Sequence, residues 1–194
     1  MGGCHQSFFN PLEKKLVGAL WSLGKKRVSE KVAHRLVNQL WKKVGSMPFK
    51  PYPDIITDLQ ALRKKSWMVF LSTDNPVWIA KSIVKRMGVE NLFDGFLGKP
   101  RSDEHKVVSH VRALARRFGI KPEDFFRSFA FYDDTPEEMH FARKLGILAI
   151  GRTTNFSAKK MRRAGAHRIV VGKGRVAHGR LVTHVLRHQR SPLR

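Results

Sequence analysis

A chain of 194 residues with 42% hydrophobic content and a formal charge of +23 is long enough for one domain with a core and a small appendage. That hydrophobic share excludes a chain too polar to fold. The one cysteine, Cys4, excludes an internal disulfide framework and a cysteine-based zinc site, and no apolar run approaches the ~20 residues that a membrane span needs.

The charge sits at the ends. Residues 1–50 carry +8, residues 51–100 carry +2, residues 101–150 carry +1 and residues 151–194 carry +12, with no acidic residue after Glu138. A balanced middle suits a catalytic or folding core. Basic flanks suit a surface that meets polyanions, RNA or DNA, as in a ribonucleoprotein component. The competing reading is a charged surface of thermophile type, which brings Glu along with Lys; Glu is scarce here. A lone cysteine fits an intracellular, cytoplasmic setting. The acid-poor first 50 residues leave an organellar transit segment open. Gln6 stands where a myristoylation motif requires Ser or Thr, and nothing further supports Cys4 as a lipidation site.

In chain order, apolar residues at 12, 16, 17, 20, 21 and 23 predict a one-faced helix over 11–23, closed by Gly24 and the run Lys25-Lys26-Arg27. Ser29 through Val44 predicts a stronger amphipathic helix, ended by Gly45. Together they form a basic helical hairpin over 1–46, either a cap or docking unit or simple packing onto the core. MPFKPYPD (47–54) reads as an extended linker. A helix over 54–65 follows, then a continuous apolar strand WMVFLS (67–72), as buried parallel strands tend to read. Thr73-Asp74-Asn75-Pro76 ends that strand, and Pro76 opens a helix to Met87. A short strand around Phe96-Leu97, a polar loop over 100–105 and a helix over 106–118 come next. Gly119–Asp124 reads as a turn. FAFY (129–132) predicts a strand that runs into Asp133-Asp134-Thr135-Pro136 and a helix ended by Gly146. A strand over 147–150, a helix over 156–165, a strand over 167–171 and a helix over 181–188 complete the order. Strands alternating with helices, without hairpin signals, argue a parallel α/β sheet over 51–171. Residues 172–194 read as a basic tail.

In doubly wound sheets, sites lie at the carboxyl ends of strands. Here Thr73 follows one strand, Asp133 and Asp134 follow another, and Lys106 opens the helix between them. A hydroxyl can hold a phosphoryl oxygen, and a lysine can neutralise phosphate charge. Adjacent carboxylates repel unless a cation sits between them, and magnesium is a hard ion that takes oxygen ligands. Each residue alone has a plainer reading. Thr73 can cap a helix, Lys106 can be a solvated surface lysine, and the aspartates can cap the helix after them.

In this order and on these elements, residues 51–171 resemble the haloacid dehalogenase-like phosphohydrolases, in particular their magnesium-dependent phosphatase branch. FLSTDNP resembles the family's second motif, with Thr73 as its hydroxyl. DEHK before a helix ending in FGI resembles the third and selects Lys106, with Lys99 in GKP as the competitor. FAFYDDTPEEMHFARKLGI resembles the fourth, in its double-aspartate form, and AGAHRIV resembles the strand that follows. The resemblance implies a three-layer α/β/α, Rossmann-like fold. It also implies hydrolysis of phosphomonoester substrates with Mg2+ through an aspartyl phosphate, with Thr73 and Lys106 as catalytic residues and Asp133 and Asp134 as metal ligands.

The chain departs from that pattern at the first motif. No aspartate precedes Asp54, and no Asp-x-Asp occurs anywhere in the 194 residues. The nucleophile is therefore missing, and with it the family's central first strand. Three explanations stand: an incomplete phosphatase, a degenerate one, or a core whose strand comes from a partner chain. Asp133 and Asp134 then amount to half of a magnesium site. The alternative function is a non-catalytic nucleic-acid-binding protein on the same core, with Lys173, Arg175, Arg180, Arg187 and Arg190 on phosphates.

Overall fold

In a computed structural model, residues 30–98, 104–171 and 180–190 are described. The chain divides into two units, Met1–Pro48 and Phe49–Arg194. In the first, α1 (Glu30–Ser46) buries Val37 and Trp41, four residues apart on one face, and leaves Val32 and Leu36 exposed. The other helix expected of a hairpin lies outside the described residues.

The second unit begins with α2 (Pro53–Lys64), whose Pro53 stands at the start of the helix with Asp54 in the first turn. β1 (Phe70–Ser72) follows, then α3 (Val77–Arg86), a 3-10 turn at Glu90–Leu92 and β2 (Gly95–Leu97). Only half of the apolar run WMVFLS pairs as a strand, because β2 offers just three partners, from Phe70 opposite Gly95 to Ser72 opposite Leu97. α4 (Lys106–Phe118) is closed by Gly119 in the left-handed conformation that glycine adopts without strain. Pro122–Arg127 forms a short helix, α5, where a turn is expected from Gly119 to Asp124. β3 (Ala130–Asp133), α6 (Pro136–Lys144), β4 (Leu148–Thr153), α7 (Ala158–Arg163), β5 (Arg168–Val171) and α8 (Arg180–Arg190) complete the order.

The paired strands are all parallel. They form two sheets among the described residues, β1-β2 and β3-β4-β5. The side chains of β4 alternate between two cores, as the two-residue period of a strand requires. Ala149 packs with Val107, Val111, Leu114, Met139 and Met161 from α4, α6 and α7. Leu148 and Ile150 pack with Leu59, Leu62, Leu181 and Val185 from α2 and α8. Helices thus cover both faces, giving the expected three-layer α/β/α architecture. The core continues past residue 171: Leu181 and Val185 of α8 are 4% and 3% exposed, and the Leu181 N–H donates to Asp58 of α2 at 3.3 Å.

β4 also runs further than the expected 147–150, and this carries Arg152 into the interior. The Arg152 guanidinium binds both oxygens of Asp54, at 2.6 and 3.2 Å, across 98 residues of chain. It also donates to the Tyr132 hydroxyl at 2.8 Å and lies 4.5 Å from the Tyr52 ring centre. Burial works against its charge, but the bonds to Asp54 and Tyr132 prevail and raise its pKa. Burial likewise pushes the Tyr132 phenol up to about 12, with Arg152 pulling against it.

Candidate active site

Lys106 sits at the first position of α4, where the helix starts beside the ends of β1 and β3. Its side chain is 9% exposed. Its Nζ lies 3.0 Å from Glu138 Oε1, 3.3 Å from Asp74 Oδ2 and 3.4 Å from Asp133 Oδ2. These carboxylates come from three places: just past β1, the last residue of β3, and the first turn of α6. Burial disfavours the ammonium, but Asp133, Glu138 and Asp74 together hold its pKa well above the usual lysine value.

One ammonium faces three carboxylates, so the corner is short of positive charge. Glu138 absorbs part of the deficit. Burial pushes its carboxyl up to about 7 from an ordinary value of 4.5, although Lys106 pulls it down. The raised value means that the folded state holds this proton more tightly than the unfolded chain. Stability is therefore greatest below pH 4.5 for this group and falls as pH rises from there through about 7. The loss is about 3 kcal/mol at 1.36 kcal/mol per pKa unit. In buffer containing EDTA, Glu138→Gln is expected to flatten this slope in urea midpoints measured between pH 5 and 8.

Asp133 has its other oxygen engaged as well: Oδ1 accepts from the Thr135 N–H and the Thr135 hydroxyl, both at 2.9 Å. Asp134 points elsewhere, to the loop after β4, where Oδ2 accepts from the Thr154 hydroxyl and from Asn155 Nδ2 at 3.4 Å. Successive residues at a strand end face opposite ways, which separates the two charges. Thr73 donates its N–H to the Leu97 carbonyl at 2.9 Å, and its hydroxyl accepts from the Asn75 N–H at 3.1 Å. That bond shapes the turn that aims the next residue, Asp74, at Lys106.

Four side chains at this corner have roles that the sequence alone does not reveal: Asp74, Glu138, His105 and His110. His105 caps α4 by accepting from the Val107 N–H at 3.4 Å, and its ring stacks on Phe141 with centres 3.7 Å apart. Burial lowers its pKa against the pull of Glu137. His110, one turn after Lys106, lies 2.6 Å from the Gly98 carbonyl through Nε2 and 2.8 Å from Ser72 Oγ through Nδ1. A carbonyl only accepts, so Nε2 carries the proton and Nδ1 accepts from the serine hydroxyl. Burial keeps this neutral form by lowering the pKa. The signal for Asp74 and Glu138 was present in TDNP and DDTPEE, but nothing local says which carboxylate reaches the lysine.

Lys106, Asp133 and the Thr73 turn are thus brought together, and Asp134 is set apart. Lys99 lies outside the described residues. So do Lys173 and Arg175, together with the side chains of Arg180 and Arg190; Arg187 is exposed on α8. A hard divalent ion takes about six oxygen ligands. Among the described residues, no group of three or more His, Cys, Asp or Glu side chains is placed to hold a metal ion. Asp133 is tied to Lys106 and Thr135, and Asp134 to Thr154 and Asn155. The described residues do not by themselves fit a magnesium site. No described helix is long and apolar enough to cross a membrane.

Parallel strands under helices on both faces, with a buried lysine at the strand ends, form an α/β/α fold similar to that of solved haloacid dehalogenase-like proteins. Among solved structures with this fold, the chain is similar to a predicted phosphoglycolate phosphatase from Haemophilus somnus. That pair is 20% identical over 81% of this chain and 71% of the other, with a TM-score of 0.64. A predicted phosphatase from Clostridium acetobutylicum matches at 19% identity over 92% of this chain and 77% of its own, TM-score 0.62. A haloacid dehalogenase-like hydrolase from Streptococcus pneumoniae matches at 19% identity over 84% and 73%, TM-score 0.59. No family model matches the sequence. No curated protein matches it.

Proposed function

We propose that this chain is a phosphatase-type core that keeps the lysine corner of a phosphoryl-transfer site and does not turn over phosphate esters by itself. The observation that carries this reading is the placement of Lys106. It is buried at the converging ends of β1 and β3 and bonded to Asp133, the position that the phosphohydrolase resemblance marks. Two features support the lack of turnover. The chain holds no Asp-x-Asp pair to form an aspartyl phosphate. Among the described residues, the corner also lacks a donor set for a divalent ion that would offset phosphate charge. With magnesium and an aryl phosphate, the expected rate is indistinguishable from buffer. Hydrolysis that Asp134→Asn abolishes would overturn the reading.

A second reading, contact with nucleic-acid phosphates, is favoured by a separate surface. His140, Arg143 and Lys144 of α6 and Arg162 and Arg163 of α7 line one open cleft, and no acidic residue lines it. All five side chains are exposed. Such a surface contacts phosphates without reading sequence, and its affinity falls steeply with salt. Glutamine at Arg143, Arg162 and Arg163 together is expected to weaken binding to a single-stranded RNA by about tenfold and to lower the salt slope by roughly two to three. An unchanged slope removes this surface from the account.

A further inference from the structure

The strands are parallel within each sheet. The carboxyl ends of β1 and β3 meet on Lys106, and the residues before the two strands, Val69 and Phe129, border one cavity. The strands therefore begin at a common edge, opposite the lysine corner. α2, α3, α6 and α7 end there, a few residues before the next strand, and α4 ends there before the short α5. Each of the five has two or more basic residues in its last turn. From those residues to the next strand the chain reads RKKSWMV, KRMGVENLFD, RRFGIKPEDFFRSF, RKLGI and RRAGAH. The acidic residues in these segments are Glu90, Asp94, Glu123 and Asp124, and Asp94 is held by Arg63 at 2.7 Å. At the opposite edge stand Asp74, Asp133, Asp134, Glu137 and Glu138. Parallel topology thus sorts base and acid to opposite edges of one unit. The basic ends adjoin the strands and each other. Arg117 of α4 lies 5.7 Å from the Phe70 ring of β1. Arg143 of α6 packs over Gly165, just after α7, where a Cβ would come within 2.9 Å of its Cδ.

A cation in the last turn also favours the helix dipole. One per helix serves that purpose; a second beside it adds repulsion unless an anion meets it. Lys64, Lys85, Arg116, Lys144 and Arg163, one from each helix, are exposed. These 194 residues hold no acidic run to cover them: outside the described residues the acids are Glu13 and Asp103, and none follows Glu138. The exposed Phe, Tyr and Trp side chains among the described residues are Phe49, Tyr52 and Trp78, at or before helix starts. None stands at this edge to stack on an unpaired base. The cations lie on both sides of the sheet, with α2 over one face and α4, α6 and α7 over the other. A double helix offers two separated phosphate rows with its bases turned inward, whereas a single strand offers one flexible row. We infer that this edge is one contact face for the phosphate backbone of a double-helical nucleic acid, bound without sequence readout. The inference rests on the nucleic-acid reading of the α6 and α7 cleft and enlarges it to the ends of α2, α3 and α4.

The full chain is titrated with a short DNA duplex, the RNA duplex of the same sequence and one strand of that RNA, over a series of salt concentrations. Lys64→Gln, Lys85→Gln and Arg116→Gln together leave the α6 and α7 cleft intact. They are expected to weaken duplex binding by about tenfold and to lower its salt slope by roughly two to three, with a loss of less than about threefold on the single strand. A tenfold loss on either duplex meets the expectation and names the backbone that the face takes. The same exchange at Lys81, Arg112 and Lys159, exposed residues away from the last turns, removes equal charge and is expected to lower the duplex slope by less than about one. Both triple variants are expected to melt as cooperatively as the native chain. The inference is overturned if the first triple variant leaves duplex binding unchanged, if both lower the slope equally, or if single-strand binding falls as far as duplex binding. Binding to vesicles of phosphatidylserine and phosphatidylcholine, weakened by the first triple variant and with none to either duplex, also overturns it. In each case the variant at Arg143, Arg162 and Arg163 decides the cleft reading separately.

Discussion

Arg152→Met is expected to destabilise the second unit by about 3–5 kcal/mol, as measured by urea unfolding at pH 7. The substitution leaves Asp54, 0% exposed in the first turn of α2, without the guanidinium that binds both its oxygens. It also removes the partner of the Tyr132 hydroxyl. A charge stranded in the interior costs more than the pair contributes, because desolvation of Asp54 is no longer offset. Replacing both partners, Asp54→Leu with Arg152→Met, is therefore expected to recover most of the loss. A double variant as unstable as the sum of the two singles would show that the residues act independently. Asp54→Asn with Arg152 intact is the converse case, leaving the guanidinium to bury its charge against a neutral amide.

Lys106→Met has the second large effect, and its size depends on pH. Near pH 8 Glu138 is ionised and the corner loses its shared cation, so a loss of about 3 kcal/mol is expected. Near pH 5 Glu138, whose carboxyl burial pushes up to about 7, is protonated, and the loss is expected to be smaller. Urea midpoints at the two pH values, in EDTA, check the difference. If the loss is equal at both, Glu138 does not share the charge deficit of the corner. Asp74 is more exposed than the other two carboxylates, and its bond to the lysine is the one that solvent screens most. Asp74→Asn is accordingly expected to change stability by less than about 1 kcal/mol.

Both results concern contacts between distant parts of the chain, and there the limits of the sequence lie. Local patterns carry the element order well. The continuous run FAFY, the helical spacing after DDTP and the apolar face of 106–118 each name their element, because a strand or helix imposes its period on the residues that form it. Boundaries slip where partners decide them. WMVFLS pairs over Phe70–Ser72 only, because β2 is short. β4 extends to Thr153 because β5 supplies partners through Val171. The placing of Thr73, Lys106, Asp133 and Asp134 near strand ends was legible for the same reason, since each follows or adjoins an identifiable element.

The sequence by itself determined the parallel α/β class, the balanced core between basic flanks, and the lack of any Asp-x-Asp pair. Each depends only on composition or on neighbours within a few positions. The tertiary structure alone decided that Lys106 gathers Asp74, Asp133 and Glu138 while Asp134 turns to Thr154. It decided that Arg152 meets Asp54 and that α8 joins the core. Charge pairing and burial depend on which groups the packed layers bring within a few ångströms, and sequence separation carries no information about that distance.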